Sequence, residues 1–257
     1  MGNLHDGHKS LFKKNKKHIY LASIFVNPLQ FNDIKDFKNY PRTIETDTEI
    51  LDKQNVDILY LPCKDFLNRK PHYSIGEIST KLCGKDRKGH FEGVAVVIIK
   101  FLRLINPDYI LLGEKDYQQA LIIKKIIKDF NFKTEAKLFP TVRDKNDVAL
   151  SSRNKLLKEN FFLASHLPKV LKQIIREIKK GCFDLIRIDQ FKKFLKSKGI
   201  QKVFYLKILK ETTLDEVDEN PALCRVFISV SINGIRLIDN MSIDRQLKLL
   251  DGKIYCR

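Results

Sequence analysis

Four short apolar runs alternating with amphipathic stretches between residues 20 and 139 constrain the fold of this chain more than any other feature. Tyr20 to Val26, Val56 to Leu61, Tyr109 to Leu112 and Ala136 to Phe139 read as buried strands. Between them, Thr43 to Gln54, Gly93 to Leu104 and Lys115 to Phe130 carry helical spacing. In the first of these helices Ile44, Ile50 and Leu51 can share an apolar face; in the last, Leu121, Ile122, Ile126 and Ile127 point inward. Gly93 to Leu104 reads as fully buried, ended at Asn106-Pro107. Strands that alternate with helices over short connections predict an α/β fold: a Rossmann-like parallel sheet with helices on both faces. Right-handed crossovers then gather every strand-to-helix turn at one edge of that sheet.

After about Asn154 the rhythm changes. Leu156 to Lys180 and Asp189 to Lys198 read as helices, and Val203 to Leu209 as a strand. Val226 to Ile232 and Ile235 to Asp239 flank Asn233-Gly234, a strong two-residue hairpin signal. The expected organisation is a Rossmann-like domain over 1–142 and a smaller α+β C-terminal domain over 143–257. Two further segments fall outside the main alternation. Gly7 to Lys17 reads as a short basic helix, and Gln30 to Arg42 as a loop.

A hydrophobic content of 43% over 257 residues is enough for a full core. The longest apolar run, Val94 to Ile99, is far too short to span a membrane, and no signal peptide opens the chain. Five cysteines without C-x-x-C spacing exclude a zinc ribbon and a disulfide framework, and the odd count fits a reducing compartment, the cytoplasm. The net charge of +17 raises the question of nucleic acid. Its lysines are spread from Lys13 to Lys253 and no arginine–aromatic interleaving accompanies them, so no nucleic-acid partner is expected. A broad positive field would instead favour anionic small molecules.

Chemistry concentrates at the strand-to-helix turns. His5-Asp6-Gly7-His8 places two imidazoles around a glycine, which suits a turn that cradles nucleotide phosphates at a helix N-terminus. Neutral or protonated rings there can donate to oxygens that gain charge as an α-phosphate is attacked. Gly113-Glu114-Lys115-Asp116 offers a phosphate-binding lysine and a carboxylate, with Gln119 on the lysine's helix face. Asn27 and Gln30 bring amides to the same sheet edge, the plainer role for Asn27 being to cap the strand end before Pro28. Leu150-Ser151-Ser152-Arg153-Asn154 supplies hydroxyls and a guanidinium for a triphosphate. Each segment alone is common; the four in this order are specific.

In these segments, and in Tyr40-Pro41-Arg42-Thr43 and Gly89-His90-Phe91-Glu92-Gly93-Val94, the chain resembles the pantothenate synthetases. These are the pantoate–β-alanine ligases of the H-x-G-H nucleotidyltransferase superfamily. The resemblance covers nearly all of the first 154 residues and is looser beyond, where Ile235 to Asn240 is the best echo. It implies ligation of pantoate and β-alanine through a pantoyl adenylate, with release of pyrophosphate and AMP. By resemblance, Met1, Gly2, Asn3, Leu4, His5, Asp6, Gly7 and His8 bind ATP, and His8 is the proton donor with His5 beside it. Gly113, Glu114, Lys115, Asp116, Val142, Leu150, Ser151, Ser152 and Arg153 complete the ATP site, Lys115 joining the histidines in catalysis. Gln30 and Gln119 hold pantoate, Gln30 also lying near β-alanine. ATP comes with Mg2+, whose ligands the resemblance leaves open, and a homodimer is implied.

Three positions depart from the family pattern. Lys88 and Leu150 replace a proline and a methionine, both mildly. Family members also carry a helix and a strand ending in Pro-Thr ahead of the position of Met1, a strand expected to be central in the sheet. Either Met1 is an internal methionine of a longer chain, or the protein is an impaired remnant of the enzyme, which is the alternative reading. A cytidylyltransferase and an RNA-binding protein are two more, the first disfavoured by the paired glutamines.

Overall fold

The computed structural model describes residues 2–12, 17–68, 71–180, 185–217 and 223–243, and the chain divides into two compact units. The first comprises Met1–Val142 with Leu150–Ser152; the second comprises Arg143–Ala149 with Arg153–Arg257.

In the first unit, β1 (Leu21–Ser23) pairs in parallel with β2 (Ile58–Tyr60), Ala22 opposite Leu59. A second parallel pair joins β3 (Tyr109–Gly113) to β4 (Glu135–Phe139), with Leu111 opposite Lys137. The parallel pairing foreseen from the alternation is present, as two two-stranded ladders among the described residues. The helices are α1 (Asp6–Lys9), α2 (Ile34–Asn39), α3 (Ile44–Lys53), α4 (Leu82–Asp86), α5 (His90–Ile105) and α6 (Tyr117–Asp129). Ile122, Ile123 and Ile126 on α6 and Ile99 and Leu102 on α5 are almost wholly buried. A smaller cluster joins Leu4, Ala22 and Leu51, which ties the start of the chain to β1 and α3.

Several sequence expectations need correction. The basic helix expected from Gly7 to Lys17 is only the four residues of α1, and 13–16 lie outside the described residues. Gln30 to Arg42 is not a plain loop, because it contains α2, whose start is capped by Asp33 accepting from Lys35 N–H at 2.7 Å. Arg42 closes its other end, donating to the carbonyls of Phe37 (2.9 Å), Lys38 (3.2 Å) and Tyr40 (3.0 Å). Neither cap has the apolar period that betrays a longer helix. On α3 the apolar face narrows to Ile50 and Leu51, since Ile44 at the first helical position is exposed. Helix α5 is amphipathic rather than fully buried: Leu104 is 61% exposed.

In the second unit the single helix expected over Leu156 to Lys180 is three pieces. A 3-10 segment over Asn154–Asn160 is kinked at Lys158 (φ 47°), followed by α7 (Phe161–Ala164) and α8 (His166–Lys179). Pro168 has no N–H to donate, so it belongs in a helix's first turn, and α8 starts just before it. The helix α9 (Leu185–Ser197) precedes an antiparallel sheet of β5 (Lys202–Lys210), β6 (Cys224–Ile232) and β7 (Ile235–Ser242) in the order β5-β6-β7. Asn233 and Gly234 both take positive φ (50° and 76°), as a type I′ hairpin requires. Leu171, Ile174 and Ile175 on α8 share a core with Val226, Ile228 and Val230 on β6. Arg143 donates to both oxygens of Asp239 on β7 (2.8 and 2.9 Å) and pins the 143–149 hairpin, which Val142 and Leu150 bracket in sequence.

One close approach positions the site directly. Helix α5 passes so near the 3-10 turn Pro28–Gln30 that a Cβ on Gly93 would fall 2.2 Å from the carbonyl oxygen of Leu29. Gly93→Ala should therefore destabilise the fold by about 1–3 kcal/mol, the usual scale of overpacking. Gly113→Ala, at φ −83° with nothing within 4 Å, should leave the unfolding midpoint nearly unchanged. Denaturant melts of both variants check this, and equal stability of the two would contradict it.

Candidate active site

The turn from Gly2 to His8 is held by hydrogen bonds to its main chain. Asn3 sits in the left-handed region (φ 51°) and is buried. Its N–H and that of Leu4 both donate to the carboxylate of Asp47 on α3, at 2.8 and 2.7 Å. The hydroxyl of Ser152 donates to the carbonyl of Asn3 at 3.1 Å. His5 then caps α1, its Nδ1 accepting from Gly7 N–H at 3.1 Å, while His5 N–H donates to Nδ1 of His8 at 3.3 Å. A side chain at Gly7 would strike the His5 ring at 2.8 Å, so glycine is needed for this cap.

These bonds decide what the imidazoles can do. The two rings lie 4.1 Å apart. With Nδ1 of each accepting from the backbone, Nε2 is the nitrogen left to carry a proton and donate. Burial pushes the pKa of His8 down to about 3, and the neighbouring His5 and Lys115 charges disfavour a second positive group further. His8 is thus neutral at ordinary pH. Of the two protonation states that the sequence leaves open, the structure selects the hydrogen-bond donor rather than the imidazolium.

The second turn follows β3. Gly113 ends the strand, Glu114–Asp116 form a 3-10 turn and Tyr117 begins α6. Glu114 is buried, whereas Lys115 is half-buried and bonds Asp116 at 3.3 Å. Adjacent glutamines on α6 have opposite fates. Gln118 is buried and fully committed: its amide N–H groups donate to Ile78 O (2.9 Å) and Lys81 O (2.7 Å), and its carbonyl accepts from Cys83 N–H (3.1 Å). The amide of Gln119 is half-buried and bonds no other side chain or main-chain group among the described residues.

The same contrast recurs near β1. Asn27 is buried and structural, donating to Gly93 O (2.9 Å) and accepting from Leu29 N–H (3.0 Å), so its capping role holds and its amide does not read substrate. Gln30 keeps its side-chain amide free among the described residues, but its main-chain carbonyl is gripped twice. Nδ1 of His90 lies 2.7 Å from it and Arg87 donates at 2.9 Å, while Arg87 and His90 meet each other at 3.1 Å.

Leu150 N–H donates to Val142 O at 3.0 Å, and the Cβ of Leu150 would lie 3.7 Å from a Cβ on Gly7. Gly2, Asn3, Leu4, His5, Asp6, Gly7, His8, Leu150 and Ser152 are thus brought together, with Asp6 on the exposed side. Ser151 belongs to the same unit and Arg153 to the other; Met1 lies outside the described residues. Asp47, Arg87 and His90 were missed as supporting residues. A signal for Asp47 existed: it stands three and four residues before Ile50 and Leu51, and a carboxylate on a helix's buried face needs donors. No group of three or more His, Cys, Asp or Glu able to hold a metal occurs among the described residues.

A parallel α/β unit whose turns present a neutral imidazole at His8, a lysine and two amides uncommitted among the described residues defines a nucleotide-handling enzyme class. Residues 1–242 match the family model of pantoate–β-alanine ligase, and the chain belongs to that family. It is 39% identical to a pantothenate synthetase of Buchnera aphidicola subsp. Schizaphis graminum, over 95% of this chain and 88% of that one. To a bifunctional pantoate ligase/cytidylate kinase of Prochlorococcus marinus it is 37% identical, and there the chain spans about half of the relative's length (48%). The crystal structure of pantothenate synthetase from Thermus thermophilus superposes with a TM-score of 0.88 at 31% identity, covering 95% of this chain and 91% of that one. A pantoate–β-alanine ligase from Francisella tularensis, solved with a β,γ-ATP ligand and β-alanine, superposes at 0.78 with 34% identity over 95% and 87% of the two chains.

Because folded His8 stays neutral to about pH 3 while an unfolded histidine protonates near 6.5, protons favour the unfolded chain between these values. Stability that is present above pH 6.5 is lost as pH falls toward 3. His8→Gln should remove this loss, so urea midpoints of variant and wild type should diverge in the variant's favour from pH 7 to 4.5. Parallel midpoints across that range would refute the neutral assignment.

Proposed function

We propose that this chain ligates pantoate to β-alanine with ATP. A pantoate carboxylate oxygen attacks the α-phosphorus and pyrophosphate leaves. The β-alanine amine then attacks the acyl carbon of pantoyl adenylate, AMP leaves and pantothenate forms. The single observation that carries the reading is the imidazole turn held beside the Lys115 turn, in a chain that matches the ligase family over residues 1–242.

No nucleophilic side chain is required, so catalysis rests on alignment and on charge stabilisation. Nε2–H of His8 donates to oxygens of the α-phosphate as charge builds there, and His5 and Lys115 attend the leaving pyrophosphate. By resemblance to the family, Gly2 to Gly7, Gly113 to Asp116, Val142 and Leu150 to Arg153 bind the nucleotide. Gln30 and Gln119 hold pantoate through the amides that the fold leaves uncommitted. Magnesium would come with the nucleotide and offset negative charge on its phosphates, with no protein ligand assigned to it. We place the enzyme in the cytoplasm as a homodimer; no helix among the described residues is long and apolar enough to cross a membrane.

AMP release should require ATP, pantoate and β-alanine together. Pyrophosphate release from cytidine triphosphate without use of pantoate would overturn the reading. His8→Ala should cost on the order of a hundredfold in adenylate formation, the scale of one lost transition-state donor, and leave the fold intact. Single-turnover assays also separate the glutamines. Gln30→Ala should impair attack of β-alanine on preformed pantoyl adenylate, and Gln119→Ala chiefly adenylation. Equal losses in both steps for both variants would reduce the two amides to wall residues.

A further inference from the structure

Asp47 is a carboxylate with 1% of its surface exposed, on the first turn of α3, forty-four and forty-three residues from the two groups it bonds. Both oxygens are used, Oδ2 by Asn3 N–H at 2.8 Å and Oδ1 by Leu4 N–H at 2.7 Å. A buried carboxylate is costly unless strong donors meet it, and the N-terminal turn of a helix adds a favourable dipole. The residues it grips precede the imidazoles directly: Asn3 is forced into the left-handed region, Leu4 is buried, and His5 follows.

We propose that Asp47 is a positioning residue for the imidazole turn, setting through the Asn3 and Leu4 amides where Nε2 of His8 points during adenylation. This rests on the ligase reading above. Two adjacent N–H groups converge on one carboxylate, each taken by its own oxygen. In Asp47→Asn one acceptor becomes an NH2 group that opposes an amide N–H, so Asn3 or Leu4 must turn away. Glutamate carries both oxygens but one more methylene, which has no room in a buried contact of this length. The turn is short, so a displacement at Leu4 passes directly to His5 and through its N–H to Nδ1 of His8. Misplacement of a donor by a fraction of an ångström weakens the transition state more than the bound substrate.

Asp47→Asn, Asp47→Glu and the core variant Ile126→Val would be compared with wild type in single-turnover adenylation and by amide hydrogen exchange. Ile126, wholly buried on α6 and given no role in the site, serves as a stability control. Asp47→Asn should lower the adenylation rate at least tenfold, with pantoate KM within threefold, and speed exchange at Asn3 and Leu4 by tenfold or more. Asp47→Glu should not restore the rate, and Ile126→Val should leave it unchanged. Two results overturn the proposal: a normal rate in Asp47→Asn despite lost protection, or the same rate loss in Ile126→Val. Should Asp47→Asn fail to fold, wild-type exchange decides, because unprotected Asn3 and Leu4 amides would also overturn it. A wild-type chain that makes no adenylate from ATP and pantoate would be a failure of the ligase reading, while the exchange data would still judge the role of Asp47 in holding the turn.

Discussion

The backbone N–H groups of Asn3, Leu4, His5 and Gly7 need acceptors, and the way they find them organises the whole imidazole turn. No strand ladder takes them. A carboxylate takes two, the Nδ1 of His8 takes the third and the Nδ1 of His5 the fourth. Buried main-chain donors are rarely left unpaired, so this arrangement is close to obligatory once Asn3 and Leu4 are buried. Its consequence is chemical. A ring whose Nδ1 accepts from the backbone offers Nε2 outward, and burial keeps His8 neutral. His8 is therefore a hydrogen-bond donor without a positive charge, and Lys115 supplies positive charge beside it.

The site also sorts its amides. Asn27 and Gln118 spend every amide hydrogen bond on the scaffold, fixing the Pro28–Gln30 turn against α5 and tying α6 to the segment around Ile78–Cys83. Their neighbours Gln30 and Gln119 inherit that rigidity with their own amides uncommitted. Leaving a polar group unpaired has a cost when it is buried, and half-burial at a sheet edge lets water stand in until substrate arrives. Arg87 and His90 extend the same logic by holding the Gln30 carbonyl, so its side chain leaves a fixed base.

Much of this was legible in the sequence. The parallel α/β alternation, the Asn233-Gly234 hairpin and the H-x-G-H, Gly113–Gln119 and Leu150–Asn154 segments could be read from period and motif, and Asn27 and Gln30 could be named as a pair of amides. A capping role for Asn27 could be offered beside a substrate role but not chosen, because the choice depends on Gly93 lying against Leu29, sixty-four residues away. Asp47 left only half a signal: its place on the buried face of α3 shows that it needs donors, but the donors are main-chain groups, which leave no trace in residue identity. Helix α2 escaped notice because its ends are fixed by Asp33 and Arg42 side chains rather than by an apolar stripe. The break at Lys158 escaped because a left-handed lysine has no composition signal.

Histidine 15N chemical shifts at neutral pH test the central claim most directly. The account predicts a neutral His8 with a bare Nδ1 and a protonated Nε2. A protonated Nδ1, or both nitrogens protonated near pH 7, would contradict the hydrogen bonding from which the function is argued.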